Sequence, residues 1–192
     1  TAYGYGISVT PLHVATFYNG IANKGRMMKP YLVESVEKDG KVIKRFPPSA
    51  LNESICSKAT ADTVTRALRA VVNSGTATRL KGAKLPVCGK TGTAQVVLSP
   101  EERKGGPDPY HDAYGRKKNQ GTFVGFFPAD DPKYTILVTV YSYLSSKSFY
   151  GGTMPALAVR EIVDKIYALD SDWRPELHRT ASVPDMKAEN AK

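Results

Sequence analysis

The chain has 192 residues, 41% apolar and 23% charged, the balance of a globular unit of about one domain with its own core. That excludes a disordered tail, a collagen and a membrane bundle, and no apolar run reaches the ~20 residues of a membrane span. The formal net charge is +9, but the basic residues are scattered and no nucleic-acid-binding motif accompanies them. A solvated basic surface is the reading, with no nucleic-acid partner.

The first residues, Thr1-Ala2-Tyr3-Gly4-Tyr5-Gly6, carry no initiator Met, basic n-region or apolar h-region. They read as a cut into a longer protein, without a signal peptide. Thr10 is placed to cap a helix with Pro11 at its first position. Val14, Phe17, Tyr18 and Ile21 then share one helical face, and Gly25 closes the segment. Tyr31 to Phe46 holds two short mixed runs around Asp39-Gly40, a hairpin signal. Ser57 caps a second helix over 58–73, with Val64, Leu68, Val71 and Val72 on one face and Asn73-Ser74-Gly75 as its stop.

Val87 to Val97 is strand-like but carries glycines, which mark close approach of a ligand or another backbone. Leu98 to Gln120, with Pro100, Gly105-Gly106-Pro107 and Pro109, reads as a long exposed loop. Thr122–Phe127 and Tyr134–Tyr141 are apolar strands paired antiparallel through Ala129-Asp130-Asp131-Pro132. Both are apolar on both faces, as in a sheet covered on two sides. Thr153 is placed to cap a last helix over 153–169, with Leu157, Ala158, Ile162, Ile166 and Leu169 on or near its buried stripe. Residues 171–192 are polar and read as a loose tail. The fold class is α+β: an antiparallel sheet flanked by helices, in one unit over 1–170.

Cys56 and Cys88 make no disulfide framework, and His13, His111 and His178 stand apart, so no metal or cofactor is expected. Cys88 reads as a small buried side chain, and Tyr110 and His111 as the tip of the loop.

Cys88-Gly89-Lys90-Thr91-Gly92-Thr93-Ala94 carries the chemistry. A phosphate loop would need glycine at position 84, which is lysine, and a helix after Thr91, where Gly92 and Gln95-Val96-Val97 read as strand instead. The alternative is a carboxylate-binding rail on a strand edge. Lys90 supplies charge, Thr91 and Thr93 supply donors, and Gly92 lets a substrate backbone lie against the strand. Alternation puts Lys90 and Gly92 on one face and Thr91 and Thr93 on the other, so twist or edge geometry must bring both sets to one ligand. The tripeptide alone is as well explained by a strand with a solvated lysine.

Five blocks in order change that balance: Gly4-Tyr-Gly-Ile-Ser-Val-Thr-Pro-Leu12, Val72-Asn-Ser-Gly-Thr-Ala77, Gly89-Lys-Thr-Gly-Thr-Ala-Gln95, Phe123-Val-Gly-Phe-Phe-Pro-Ala-Asp130 and Tyr150-Gly-Gly152. With them the chain resembles the C-terminal part of the transpeptidase domain of class B penicillin-binding proteins, over nearly its whole length. The first block is most like division-type members.

The resemblance implies a D,D-transpeptidase that acylates a serine with the penultimate D-Ala of a peptidoglycan stem peptide and passes the acyl group to a neighbouring amine. β-Lactams mimic the donor. It implies Lys90 and Thr93 as catalytic residues, the N–H of Thr93 as an oxyanion donor, and Thr91, Gly92 and Thr93 as substrate-binding. Gln95, Phe149 and Tyr150 match positions that line the cleft in relatives. No cofactor is implied. The implied partners are the D,D-stem peptide, β-lactams, the upstream half of the same domain and cell-division proteins. The implied location is the periplasmic face of the bacterial inner membrane, with an anchor in a preceding segment.

One departure is large. The family's Ser-x-x-Lys occurs here only as Ser35-Val-Glu-Lys38, inside the hairpin, and no Ser-x-Asn occurs. A nucleophilic serine needs a helix start with the lysine one turn on, so Ser35 reads as coincidence and the chain as an inactive fragment. A gap lined with apolar side chains is expected beside Lys90, filled by the upstream half or by another copy. Same-fold alternatives are a D,D-carboxypeptidase or a β-lactamase. A non-catalytic alternative is a β-lactam sensor or cell-division scaffold.

Overall fold

The computed structural model describes residues 7–142, 149–170 and 173. The expected polar tail over 171–192 lies, Trp173 apart, outside the described residues. The helix starts follow local hydrogen-bond chemistry. α1 (Pro11–Ala22) begins where Thr10 Oγ1 accepts the His13 N–H at 3.3 Å. α2 (Lys58–Asn73) begins where Ser57 Oγ accepts the Thr60 N–H at 3.1 Å.

Between the two helices lie four short strands. β1 (Met27–Met28) pairs with β4 (Ala50–Asn52), a contact absent from the sequence reading. β2 (Ser35–Lys38) and β3 (Lys41–Arg45) form the expected hairpin. Its turn has Asp39 at φ 52 and Gly40 at φ 73, the pair of positive angles that a tight two-residue turn requires. The hairpin is largely solvent-exposed.

The main sheet has three antiparallel strands in the order β5-β6-β7: β5 (Cys88–Gln95), β6 (Asn119–Phe127) and β7 (Tyr134–Tyr141). Cys88 faces Phe126, Lys90 faces Val124 and Thr93 faces Gly121. Alternation along β6 then separates two cores. On one face Phe123 and Phe127 pack with Ala156, Val159 and Val163 of α4 (Met154–Leu169), together with Val72, Leu80 and Leu85. On the other, Phe126 and Cys88 pack with Ile21 of α1, Leu68 of α2 and Ala129. The sheet is covered on both sides. Burying each such large apolar side chain is worth about 1.5–3 kcal/mol. Helices on both faces of an antiparallel sheet make the α+β architecture.

Two expectations need refining. The connection from β5 to β6 is the long, mostly exposed loop expected, but it is internally ordered. It contains a one-turn helix, α3 (Pro100–Arg103), with a reciprocal capping box between Ser99 and Glu102. Leu98 is buried, and its N–H donates to Pro109 O at 2.8 Å. The Asp112 carboxylate is 2% exposed. It accepts the N–H groups of Tyr114 and Arg116 and the Arg116 guanidinium. The loop's polar residues find their partners within the loop, which a composition count does not show. The second correction is Thr153. It stands at the N-cap of α4, but its hydroxyl accepts from no helix amide. Instead it donates to Tyr150 O at 2.6 Å and accepts the Tyr150 N–H at 3.3 Å, closing the turn before the helix.

Candidate active site

Among the described residues β5 is an edge strand, with β6 on one side only. Lys90, Gly92 and Thr93 are exposed along it and Thr91 is half-buried. The alternation problem is solved by the long side chain of Lys90, which turns back along the edge. Its ammonium donates to Thr91 O at 2.8 Å and stands 3.4 Å from Thr91 Oγ1. The Lys90 charge and the Thr91 hydroxyl, from opposite faces, therefore meet at one edge.

Each threonine is held from behind. Thr91 Oγ1 lies 2.6 Å from Thr76 Oγ1. Thr93 Oγ1 accepts the N–H of Gly151 at 3.0 Å. That bond occupies a lone pair of Thr93 and leaves its own O–H free to donate, which is the polarity a carboxylate ligand needs. A Cβ added at Gly92 would meet nothing closer than Thr122 Cβ at 4.0 Å. Among the described residues no neighbour would clash with a side chain there, and Gly92 is exposed.

The segment Phe149–Thr153 lies across this strand. Phe149 is 8% exposed, and a Cβ at Gly121 would come within 2.8 Å of its ring. Cβ atoms at Gly151 and Gly152 would overlap Gly92 O and Thr76 O respectively. These glycines let the segment sit directly on β5 and on the turn after α2. Tyr150 is 61% exposed beside it. Lys90, Thr91, Gly92, Thr93, Phe149 and Tyr150 are thus brought together around one sheet edge. Gln95 shares the face of Thr93 at the end of β5, in register with Asn119.

Sequence reasoning missed Thr76. The Val72–Ala77 block was visible, but nothing local says that its threonine reaches β5. Ser35 lies in β2, its hydroxyl 3.3 Å from Glu37 Oε1, and not at a helix start. Cys88 is fully buried with its thiol toward Thr65 O at 3.7 Å, and burial pushes its pKa up to about 11. His111 pairs with Asp108 at 2.9 Å in the loop. Among the described residues no group of three or more His, Cys, Asp or Glu is placed to hold a metal ion.

Residues 1–164 match the family described as "Penicillin binding protein transpeptidase domain". The chain is 32% identical over 179 residues to penicillin-binding protein 2A of Bacillus subtilis, covering 88% of this chain and 24% of that protein. Among solved structures, the D,D-transpeptidase domain of a peptidoglycan glycosyltransferase from Eggerthella lenta matches at 27% identity and TM-score 0.60, over 84% of this chain and 33% of that one. Penicillin-binding protein A from M. tuberculosis, solved as a ceftriaxone acyl-enzyme, matches at 26% identity and TM-score 0.63, over 84% of this chain and 32% of that one. The chain spans about a quarter of the curated relative and a third of each solved chain. With a Lys-Thr-Gly strand at a free sheet edge and a matched stretch covering most of its length, this chain belongs to the transpeptidase-domain family of the class B penicillin-binding proteins.

Proposed function

We propose that the chain supplies the Lys-Thr-Gly wall of a peptidoglycan D,D-transpeptidase, as the C-terminal part, over 1–170, of a longer transpeptidase domain. The observation that carries this is Thr93: its hydroxyl, pinned by the Gly151 N–H, is exposed on the β5 edge, where the Lys90 ammonium is held at the intervening Thr91 O. A peptide ending in a carboxylate fits that edge, with its backbone along Gly92. The D-Ala-D-Ala end of a stem peptide has that chemistry, and so does a β-lactam.

In the reaction a serine Oγ from an upstream Ser-x-x-Lys attacks the carbonyl of the penultimate D-Ala. The Oγ–C bond forms, the amide bond breaks, and the terminal D-Ala leaves with the serine's proton on its nitrogen. An amine of a neighbouring stem then attacks the ester, forms the cross-link and returns a proton to the serine. Lys90 holds its charge next to the transferring proton and the substrate carboxylate. Thr91 and Thr93 orient that carboxylate, and the Thr93 N–H stabilises the oxyanion. Gln95, Phe149 and Tyr150 wall the cleft. Kinship with a protein captured as an acyl-enzyme supports this chemistry.

The nucleophile is supplied by an upstream half that packs beside Lys90 and fills the space at the edge. The whole protein is a division-type enzyme with cell-division partners. It is anchored in the inner membrane by a preceding segment, with this domain in the periplasm.

The test is labelling with a fluorescent β-lactam followed by intact-mass analysis. The 192-residue chain is expected to stay unlabelled, and the longer protein to gain one acyl group on an upstream serine. A stoichiometric adduct on Ser35, or a longer protein that never labels, would sink the reading. Release of D-Ala without cross-linked product would make the parent a carboxypeptidase instead.

A further inference from the structure

We infer that Thr76 is a positioning residue for the Lys90–Thr93 edge: through the Thr91 hydroxyl it sets where the Lys90 ammonium is held. This rests on the reading of Lys90 to Thr93 as the substrate wall. Thr76 follows the Ser74 C-cap of α2 and is fixed by its neighbours. The N–H groups of Gly75 and Ala77 both donate to Val71 O at 3.1 Å. Ala77 and Leu80, just beyond, are fully buried in the core. The Thr76 hydroxyl is therefore carried on a rigid post rather than on a free loop.

From that post it reaches Thr91 Oγ1 at 2.6 Å, short even for an O–H···O bond. The same Thr91 oxygen stands 3.4 Å from Lys90 Nζ. An ammonium only donates, so Thr91 must present a lone pair to it. A lone threonine hydroxyl on an edge strand has other staggered positions open. The bond to Thr76 selects one of them, with the Oγ1 lone pair toward Lys90 and the Cγ2 methyl turned to the Gly152 side. A Cβ at Gly152 would meet that methyl at 3.7 Å. Thr76 O lies against Gly152 as well. One residue thus joins the end of α2, the catalytic strand and the segment over it. Thr76 touches no reacting atom; its effect passes through Thr91 to the charge of Lys90.

The experiment uses the full-length protein that contains this chain and measures acylation by a fluorescent penicillin under stopped flow, with melting temperature as the folding control. Thr76→Val keeps the shape and removes the hydroxyl. It is expected to slow acylation about fivefold to tenfold, the weight of one orienting hydrogen bond. Thr76→Ser keeps the hydroxyl and is expected within about twofold of wild type. If Thr76→Val does not fold, Thr76→Ala replaces it as the hydroxyl-less variant, read against Thr76→Ser, which shares the loss of the methyl. Wild-type acylation by the hydroxyl-less variant overturns the proposal. So does a Ser variant slowed as much as Val, since packing of the methyl would then be the cause. Lys90→Ala is measured alongside. If it acylates like wild type, the reading of the wall itself fails. If it is slow while Thr76→Val is not, only the role of Thr76 fails.

Discussion

Replacing Thr93 with valine separates the two jobs that its hydroxyl performs. The Oγ1 accepts the Gly151 N–H at 3.0 Å, which leaves its own proton available to a carboxylate ligand. Valine keeps the β-branch and the strand preference, so the strand itself is undisturbed. The lost donor would otherwise meet a carboxylate, a charge-assisted bond worth about 1.5–3 kcal/mol. At about 1.4 kcal/mol per tenfold, acylation by a β-lactam carboxylate should fall roughly 10- to 150-fold. The second cost falls on the protein. The Gly151 N–H loses its partner, about 1 kcal/mol at a site that water reaches from the exposed side. That should loosen the 149–153 segment and show as faster amide exchange there. The Thr93 N–H, the proposed oxyanion donor, is backbone and survives the change. Thr93→Ser should restore both effects. The assay is the second-order acylation rate of the full-length protein with a fluorescent penicillin, beside hydrogen exchange of residues 149–153. A valine variant acylating within twofold of wild type would refute the assignment of Thr93 as the carboxylate donor.

Three further outcomes follow from the geometry. Gly89→Ala should destabilise the protein, because the new Cβ would stand 2.9 Å from Phe123 Cε1, closer still to its Cζ, and against Val124 O. Overpacking of this kind costs about 1–3 kcal/mol, or roughly 2–4 °C of melting temperature per kcal/mol in a domain of this size, and an unchanged melting curve would contradict the packing. With burial holding the Cys88 thiol up to about 11, a thiol reagent at pH 8 should modify only Cys56 in the native protein and both cysteines after denaturation; native labelling of Cys88 would disagree. The Arg69 guanidinium, 2.7 Å from Asp130, lowers that carboxyl's pKa through its hydrogen bond. A carboxylate depressed by folding adds stability above its unfolded pKa, and that stability is lost as pH falls through the folded one. Asp130→Asn should therefore flatten the acid end of the stability curve, by a small amount because both side chains are exposed. Equal or steeper acid loss in the variant would refute the pairing.

Much of the fold was legible because its signals are local. Thr10 with Pro11, Ser57, and Asp39-Gly40 each act within a few residues, and the capped helices and the hairpin stand where those residues put them. The apolar character of both faces of β6 announced a sheet covered on both sides, since alternation is a property of the strand alone. Lys90-Thr91-Gly92-Thr93 marked the candidate strand on the same terms, once the other blocks stood in order beside it.

Local competition between polar groups, and contacts between distant parts of the chain, were decided only by the folded structure. Composition made residues 98–120 a long exposed loop, and only the structure shows that Arg116 offers Asp112 both its backbone N–H and its guanidinium. Thr153 had the residue type of a cap and the position of one, but Tyr150 O competes for its hydroxyl and wins. Thr76 and Thr91 are 15 residues apart, and Thr93 and Gly151 are 58 apart. No local pattern encodes such pairs. They exist because α2 packs against β5 and α4 against β6 and β7, and that packing carries a hydroxyl from a turn and an amide from a glycine segment to the same strand edge. The sequence names the groups proposed for the chemistry; the packing decides which neighbours each of them meets.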